Sequence, residues 1–286
     1  MGFATMLASR EGGRQPLIDL NATTDIFVSN GRIQEATGFL LEALKGNRPE
    51  EGYLQTRLLE MNLLSATPVA EAIFEMNHFS HFDKPRIAQF CEKAGLYLRA
   101  LENYTDINDI RRVLLNTHAI DKKQLIEFLA RLTPESALVC LNDMMKHNRQ
   151  NVPIVAEAAV KYNGKIPTPE LIKLFDTYGA FDGTYYFLGS ILSTTEDPEI
   201  YFKYIEAAAK MNNVREVERV IRETTFYEPV KVKEFLMEIK LPDPRPLIYL
   251  CDKHGFVVEL TKYLFKGGLN KYIEIYLFRV NPDASP

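Results

Sequence analysis

The residues best suited to chemistry in this chain are His78, His81 and Asp83, in the run His78-Phe79-Ser80-His81-Phe82-Asp83. Two imidazoles and a carboxylate so close together could supply part of a zinc site, which takes four ligands in a tetrahedron. Both imidazoles share a helical face only if a helix runs through them. Asp83 ahead of Lys84-Pro85 reads instead as the cap of a new helix. No fourth ligand or HExxH pattern lies nearby, so the run is read as a solvated corner between helices. His254 before Gly255 marks a helix end, where an imidazole can meet the last carbonyls; His118 and His147 also fall near helix ends. Gly12-Gly13-Arg14 lacks the second glycine and the Lys-Ser/Thr pair of a phosphate loop, and neither GxSxG nor GxGxxG occurs. No catalytic, cofactor-binding or metal-binding residue is assigned. The chain is read as a non-enzyme without a cofactor.

Cys91, Cys140 and Cys251 are 49 and 111 residues apart with no CxxC. An odd, scattered set on apolar helix faces reads as reduced core thiols of a cytoplasmic protein. The 34 basic and 38 acidic residues leave a net charge of −4, which offers nucleic acid no basic face. No apolar run is long enough for direct membrane insertion. The segment after Met1 lacks the basic start and continuous apolar stretch of a signal peptide.

The elements that would hold these residues are helices. Pro68, Pro85, Pro134, Pro153, Pro169, Pro198, Pro229 and Pro244 are separated by 17, 49, 19, 16, 29, 31 and 15 residues. A helix of about 12 residues plus a short connection takes up roughly 15, so the gaps are close to multiples of one unit. Proline suits the first helical position and is excluded from the interior. Thr133-Pro134-Glu135, Thr168-Pro169-Glu170 and Asp197-Pro198-Glu199 each read as a capping residue, a proline and an acid facing the positive end of the dipole. Apolar stripes recur at helical spacing: Ile33, Ala36, Phe39, Leu40 and Leu44; Leu125, Phe128, Leu129 and Leu132; Val214, Val217, Val220 and Ile221. The run Tyr185-Tyr186-Phe187-Leu188-Gly189 reads as a helix buried on most sides, with Gly189 admitting a close neighbour. The spacing predicts 16 to 19 helices and no strand, with residues 1–16 partly irregular.

A degenerate repeat underlies the prolines. Gly31/Ala36/Leu40, Gly95/Ala100/Tyr104, Asn212/Val217/Ile221, Gly255/Leu260/Leu264 and Gly268/Ile273/Leu277 each place a residue tolerant of left-handed backbone five and nine positions ahead of two core residues. The pattern implies an all-α chain of stacked antiparallel helical hairpins, an α-solenoid. At its ends, the apolar helix Tyr272–Val280 and the residues Phe3, Met6 and Leu7 are expected to be sticky.

Several runs resemble the clathrin heavy-chain family: Leu54-Gln55-Thr56-Arg57-Leu58-Leu59-Glu60-Met61-Asn62-Leu63, Ile87-Ala88-Gln89-Phe90-Cys91-Glu92-Lys93-Ala94-Gly95-Leu96, Tyr186-Phe187-Leu188-Gly189-Ser190-Ile191 and Lys271-Tyr272-Ile273-Glu274-Ile275-Tyr276. Phe202-Lys203-Tyr204-Ile205-Glu206-Ala207-Ala208 and Glu216-Val217-Glu218-Arg219 add to them. The likeness is collinear over nearly the whole chain and weakest at about 1–30 and 142–166. It implies that residues 1–286 are one α-solenoid of clathrin heavy-chain repeats, an internal piece of the distal leg. The implied function is a structural scaffold segment of the vesicle coat in endocytosis and intracellular transport, on the cytosolic face of coated pits and coated vesicles. Other heavy-chain legs, and uncoating cofactors, are the partners it implies, with the light-chain and adaptor sites outside this segment. A repeat domain of a vacuolar sorting or tethering subunit is the alternative.

Overall fold

The structure is a computed structural model that describes residues 18–281, with the backbone alone at 279 and 280. Gly12-Gly13, Phe3, Met6 and Leu7 lie outside the described residues. Contacts divide the chain into two compact units, 1–131 and 132–286. The first holds α1 (Leu20–Ser29), α2 (Ile33–Ala43), α3 (Gly52–Ser65), α4 (Thr67–Glu75), α5 (Lys84–Lys93), α6 (Tyr97–Asn103), α7 (Ile107–Val113) and α8 (Lys122–Leu129). The second holds α9 (Pro134–His147), α10 (Val152–Lys161), α11 (Thr168–Thr177), α12 (Phe181–Ile191), α13 (Pro198–Lys210), α14 (Val214–Glu223), α15 (Pro229–Ile239), α16 (Arg245–His254), α17 (Val257–Lys266) and α18 (Asn270–Ile275). Among the described residues the only β feature is one isolated bridge between Asn163 and Ile166.

Six corners share one backbone solution. Gly31, Gly95, Gly179, Asn212, Gly255 and Gly268 take φ between 58° and 79°. At each, the N–H of the following residue returns to the carbonyl five positions earlier at 2.8–3.0 Å, the Schellman pattern that satisfies a helix's last carbonyls. That following residue is also the N-cap of the next helix. The residue five beyond the corner is therefore the fourth of the new helix and lies on its inner face. Ala36, Ala100, Val217 and Leu260 are all fully buried there.

Two corners depart from the reading of the sequence. Gly179 was not legible, because Thr184 stands where an apolar residue is expected and is nonetheless buried. After Gly268, Ile273 and Leu277 are only half-buried, and Tyr276 is the residue that turns inward. The helix passes there from α to π geometry over Tyr276–Val280.

Pro134, Pro198 and Pro229 open their helices, Pro68, Pro85, Pro153 and Pro169 stand second, and Pro244 is an N-cap; of the three capped triplets two hold. Thr133 accepts from the Ser136 N–H at 3.3 Å, and Asp197 from the Glu199 N–H at 2.9 Å. Thr168 does not cap: Pro167 occupies the N-cap position and Thr168 is already helical. α12 is amphipathic rather than buried on most sides. Phe187 and Leu188 are buried while Tyr186 is 61% exposed. Gly189 does admit a neighbour, since a Cβ there would lie 3.3 Å from the Tyr204 ring.

Helices pack on their hairpin partner and on the helix two ahead, as in α3 with α5, α6 with α8, α10 with α12, α13 with α15 and α14 with α16. Ion pairs follow the same spacing. Asp25–Arg57, Glu60–Arg86, Glu71–Arg99, Asp176–Lys203, Glu199–Lys231 and Lys233–Glu259 join residues 26 to 32 positions apart. All three cysteines are buried and reduced. Burial pushes the thiols of Cys91 and Cys251 up to about 12, far from the thiolate that reacts at neutral pH.

Replacing Gly31 tests the corner. A Cβ there would meet no atom within 4 Å, so the whole cost of Gly31→Ala is the left-handed backbone, about 1–2 kcal/mol. The urea midpoint of the variant should fall accordingly, and Asn212→Gly should leave its midpoint unchanged or slightly raised.

Candidate functional site

The run 76–83 between α4 and α5 is the most built of the irregular connections. It begins with Asn77 in the left-handed region, φ 48°, and continues without regular structure to Asp83. Its polar groups are held by side chains of the preceding layer. Asn47 Nδ2 donates to Ser80 Oγ (3.0 Å) and Asn47 Oδ1 accepts from the Ser80 N–H (3.3 Å). Gln55 Nε2 donates to Asn47 Oδ1 (2.9 Å), and Gln55 Oε1 accepts from the His81 N–H (2.9 Å). Thr56 Oγ1 donates to Gly52 O (2.9 Å) and accepts from the Asp83 N–H (2.8 Å). Gln55 is fully buried and Thr56 nearly so. Each of these backbone groups would cost roughly 1–3 kcal/mol if left unpaired in the interior.

The histidines do different things from those a metal would ask of them. His78 Nε2 donates to Lys45 O at 2.9 Å, a carbonyl left free beyond the end of α2, and the His78 ring meets Phe79 edge-on. His81 contributes its backbone. Asp83 accepts from the Arg86 N–H at 3.1 Å as the expected cap of α5. Among the described residues no three His, Cys, Asp or Glu side chains gather where they could hold a metal ion. The corner is also less solvated than its sequence reads, because Phe79 is only 9% exposed.

His254 corrects in the same way. It lies 3.2 Å from the Tyr227 hydroxyl rather than on the carbonyls of its own helix. Burial and the neighbouring Lys253 hold its imidazole below the ordinary value. Lys253 is the group that reaches helix-end carbonyls, those of α14 one layer back. Its ammonium donates to Ile221 O (2.8 Å), Thr224 O (2.6 Å) and Arg222 O (3.3 Å), where the helix dipole favours a cation.

Each unit also contains a Tyr–Glu–Arg cluster that sequence reasoning missed, because the tyrosine joins its Glu and Arg only across a helical connection. Tyr104 Oη donates to Glu92 (2.9 Å), and Arg112 Nη2 donates to the same carboxylate (2.8 Å). Tyr204 Oη donates to Glu216 (2.7 Å), and Arg219 Nη2 does so at 2.6 Å. The Arg112 and Arg219 guanidiniums hold the carboxyls of Glu92 and Glu216 below the ordinary value of 4.5. Such clusters pin helices together and do not activate a nucleophile. Tyr104 is pushed up to about 12, chiefly by burial.

Two measurements test this geometry. A Cβ on Gly52 would come within 2.3 Å of His81 O, so Gly52→Ala should cost about 1–3 kcal/mol and speed hydrogen exchange at the His81 and Asp83 amides. For Glu216, a folded value below the unfolded one means stability complete above about pH 5 and lost as pH falls through the folded value. The gap in urea midpoint between wild type and Glu216→Gln should therefore be constant near neutrality and narrow as pH falls below the ordinary value of 4.5.

The comparisons with known proteins agree with this helical architecture. The family model for clathrin, described as a region in clathrin and VPS, matches residues 14–152 and 159–285. Apart from Pro286, the unmatched residues fall within the two stretches where the resemblance is expected to be weakest. Clathrin heavy chain 2 of Oryza sativa subsp. japonica is 50% identical over all of this chain, which covers 17% of that protein. The clathrin heavy chain of Drosophila melanogaster is 49% identical over the same shares, and clathrin heavy chain 2 of Homo sapiens is 46% identical over 99% of this chain and 17% of its own length. The chain thus spans about a sixth of the length of these relatives. With its repeated corner, its layer-to-layer packing and near-half identity along its whole length, it belongs to the clathrin family of helical repeats.

Proposed function

We propose that residues 1–286 act as one α-solenoid leg segment of a clathrin coat, a structural scaffold that packs beside other heavy-chain legs on the cytosolic face of coated pits and vesicles. The observation that carries this reading is the near-half identity to clathrin heavy chains from one end of the chain to the other. A shared repeat alone constrains corners and core positions. It does not require the exposed faces to agree, so identity at this level favours clathrin over the VPS proteins that share the family. In this reading the segment binds neither light chain nor adaptor, performs no reaction and holds no cofactor. Its work is to keep a span rigid between sites elsewhere on the heavy chain.

A chimera tests the proposal. The matched stretch of the Drosophila melanogaster heavy chain is replaced by this chain, and the purified trimer is taken through cage assembly. Closed cages of wild-type diameter by electron microscopy are expected. Trimers that form and bind light chain yet give no closed cage would overturn it.

A further inference from the structure

Beside the 76–83 connection lies a cleft of about 230 Å³, walled by α4, the connection itself and Arg99, Glu102 and Asn103 toward the end of α6. Its walls are unusually aromatic for a surface feature of this chain. The rings of Phe74 and Phe82 meet edge-to-face with centroids 6.3 Å apart, and both residues remain half-exposed. The Arg99 guanidinium lies 5.6 Å from the centre of the Phe74 ring. Partly exposed aromatic pairs in a concave setting are where binding energy concentrates, since a ligand can still remove their remaining surface from water.

Two polar groups at this cleft have unused capacity. Asn103 is only 8% exposed. Its Nδ2 donates to Arg99 O at 2.8 Å, while its Oδ1 has no partner among the described residues. That oxygen is not sealed from solvent, so it is an acceptor that an N–H entering the cleft can reach. Lys84 stands at the mouth of the cleft, exposed, and its ammonium has no carboxylate partner among the described residues. Arg99 cannot fill that role, because Glu71 (2.7 Å) and Glu102 (3.0 Å) already neutralise it.

We infer that this cleft is a docking site for a short extended peptide segment of a partner protein, carrying a large apolar side chain next to a carboxylate. The apolar side chain lies against Phe74 and Phe82, a backbone N–H of the segment donates to Asn103 Oδ1, and the carboxylate pairs with Lys84. The cleft has room for one side chain only, so the rest of the ligand must lie along the surface, which suits a chain segment better than a free small molecule. The inference does not rest on the coat reading: cage assembly and peptide binding are separate measurements.

The full 286-residue chain, labelled with ¹⁵N, is titrated with N-acetyl-Phe-Asp-amide, N-acetyl-Phe-Asn-amide and N-acetyl-Gly-Asp-amide. The first should give saturable shifts confined to amides of 74–84 and 99–103. The second should bind about threefold more weakly, as expected for loss of one exposed ion pair, and the third should give no saturable shift. Lys84→Glu changes an exposed side chain, keeps the fold and should remove the preference for Asp over Asn. Phe82→Ala should abolish binding by both phenylalanine probes. Scattered or non-saturating shifts, equal affinity of the Asp and Asn probes, or an unchanged preference in Lys84→Glu would overturn the inference. So would concentration-dependent shifts at the same amides without any probe, which would mean that a second copy of the chain occupies the cleft.

Discussion

A helix that must reverse direction within two or three residues leaves its final carbonyls without partners and its successor without a start. The left-handed residue at each corner meets both demands. Once it takes positive φ, the next N–H reaches back five residues to close the finished helix, and the next carbonyl opens the following one. The geometry then places the fourth residue of the new helix against the core, which is why Ala36, Ala100, Thr184, Val217 and Leu260 are buried, with the half-buried Ile273 after Gly268 the exception. Packing between layers is built on corners already formed. Carbonyls that a corner does not satisfy are reached from the next layer, by His78 at Lys45 O and by Lys253 at the end of α14.

The parts of this fold legible in a single sequence are those set by local backbone demands. Five of the six corners could be read from a Gly or Asn followed by apolar residues at fixed offsets, and Thr133 and Asp197 could be read as caps. Gly179 escaped because burial at Thr184 is imposed by the hairpin and not announced by the side chain. The polar joint at 76–83 escaped for a different reason. Gln55, Thr56 and Asn62 look like surface residues of α3, yet all three are buried. Asn62 accepts from Thr37 Oγ1, 25 positions away, and Gln55 serves the His81 N–H, 26 positions away. Their partners lie one layer off, and no local pattern points there. The histidine run was therefore rightly read as a corner, but its role as a seam between layers was hidden. The phenylalanines of that run drew no reading from the sequence and emerge as the wall of a cleft only when α6 is set beside them.

Among the described residues, the ion pairs and side-chain-to-carbonyl contacts that span more than ten positions within a unit cover 20 to 36, about one hairpin in sequence. Each exposed pair is worth at most about 1 kcal/mol, so no single one secures a unit; coupling passes from neighbour to neighbour. Such a connectivity decides how a unit yields to a pull along the chain. Force applied to an end loads the outermost layer first, since the ion pairs and carbonyl contacts of the described residues reach about one hairpin along the chain. Rupture would proceed layer by layer, each event releasing about 30 residues and roughly 100 Å of extended contour, while the layers behind stay folded. A unit built in this way absorbs mechanical work in small instalments and can regain each lost layer on the template of the next.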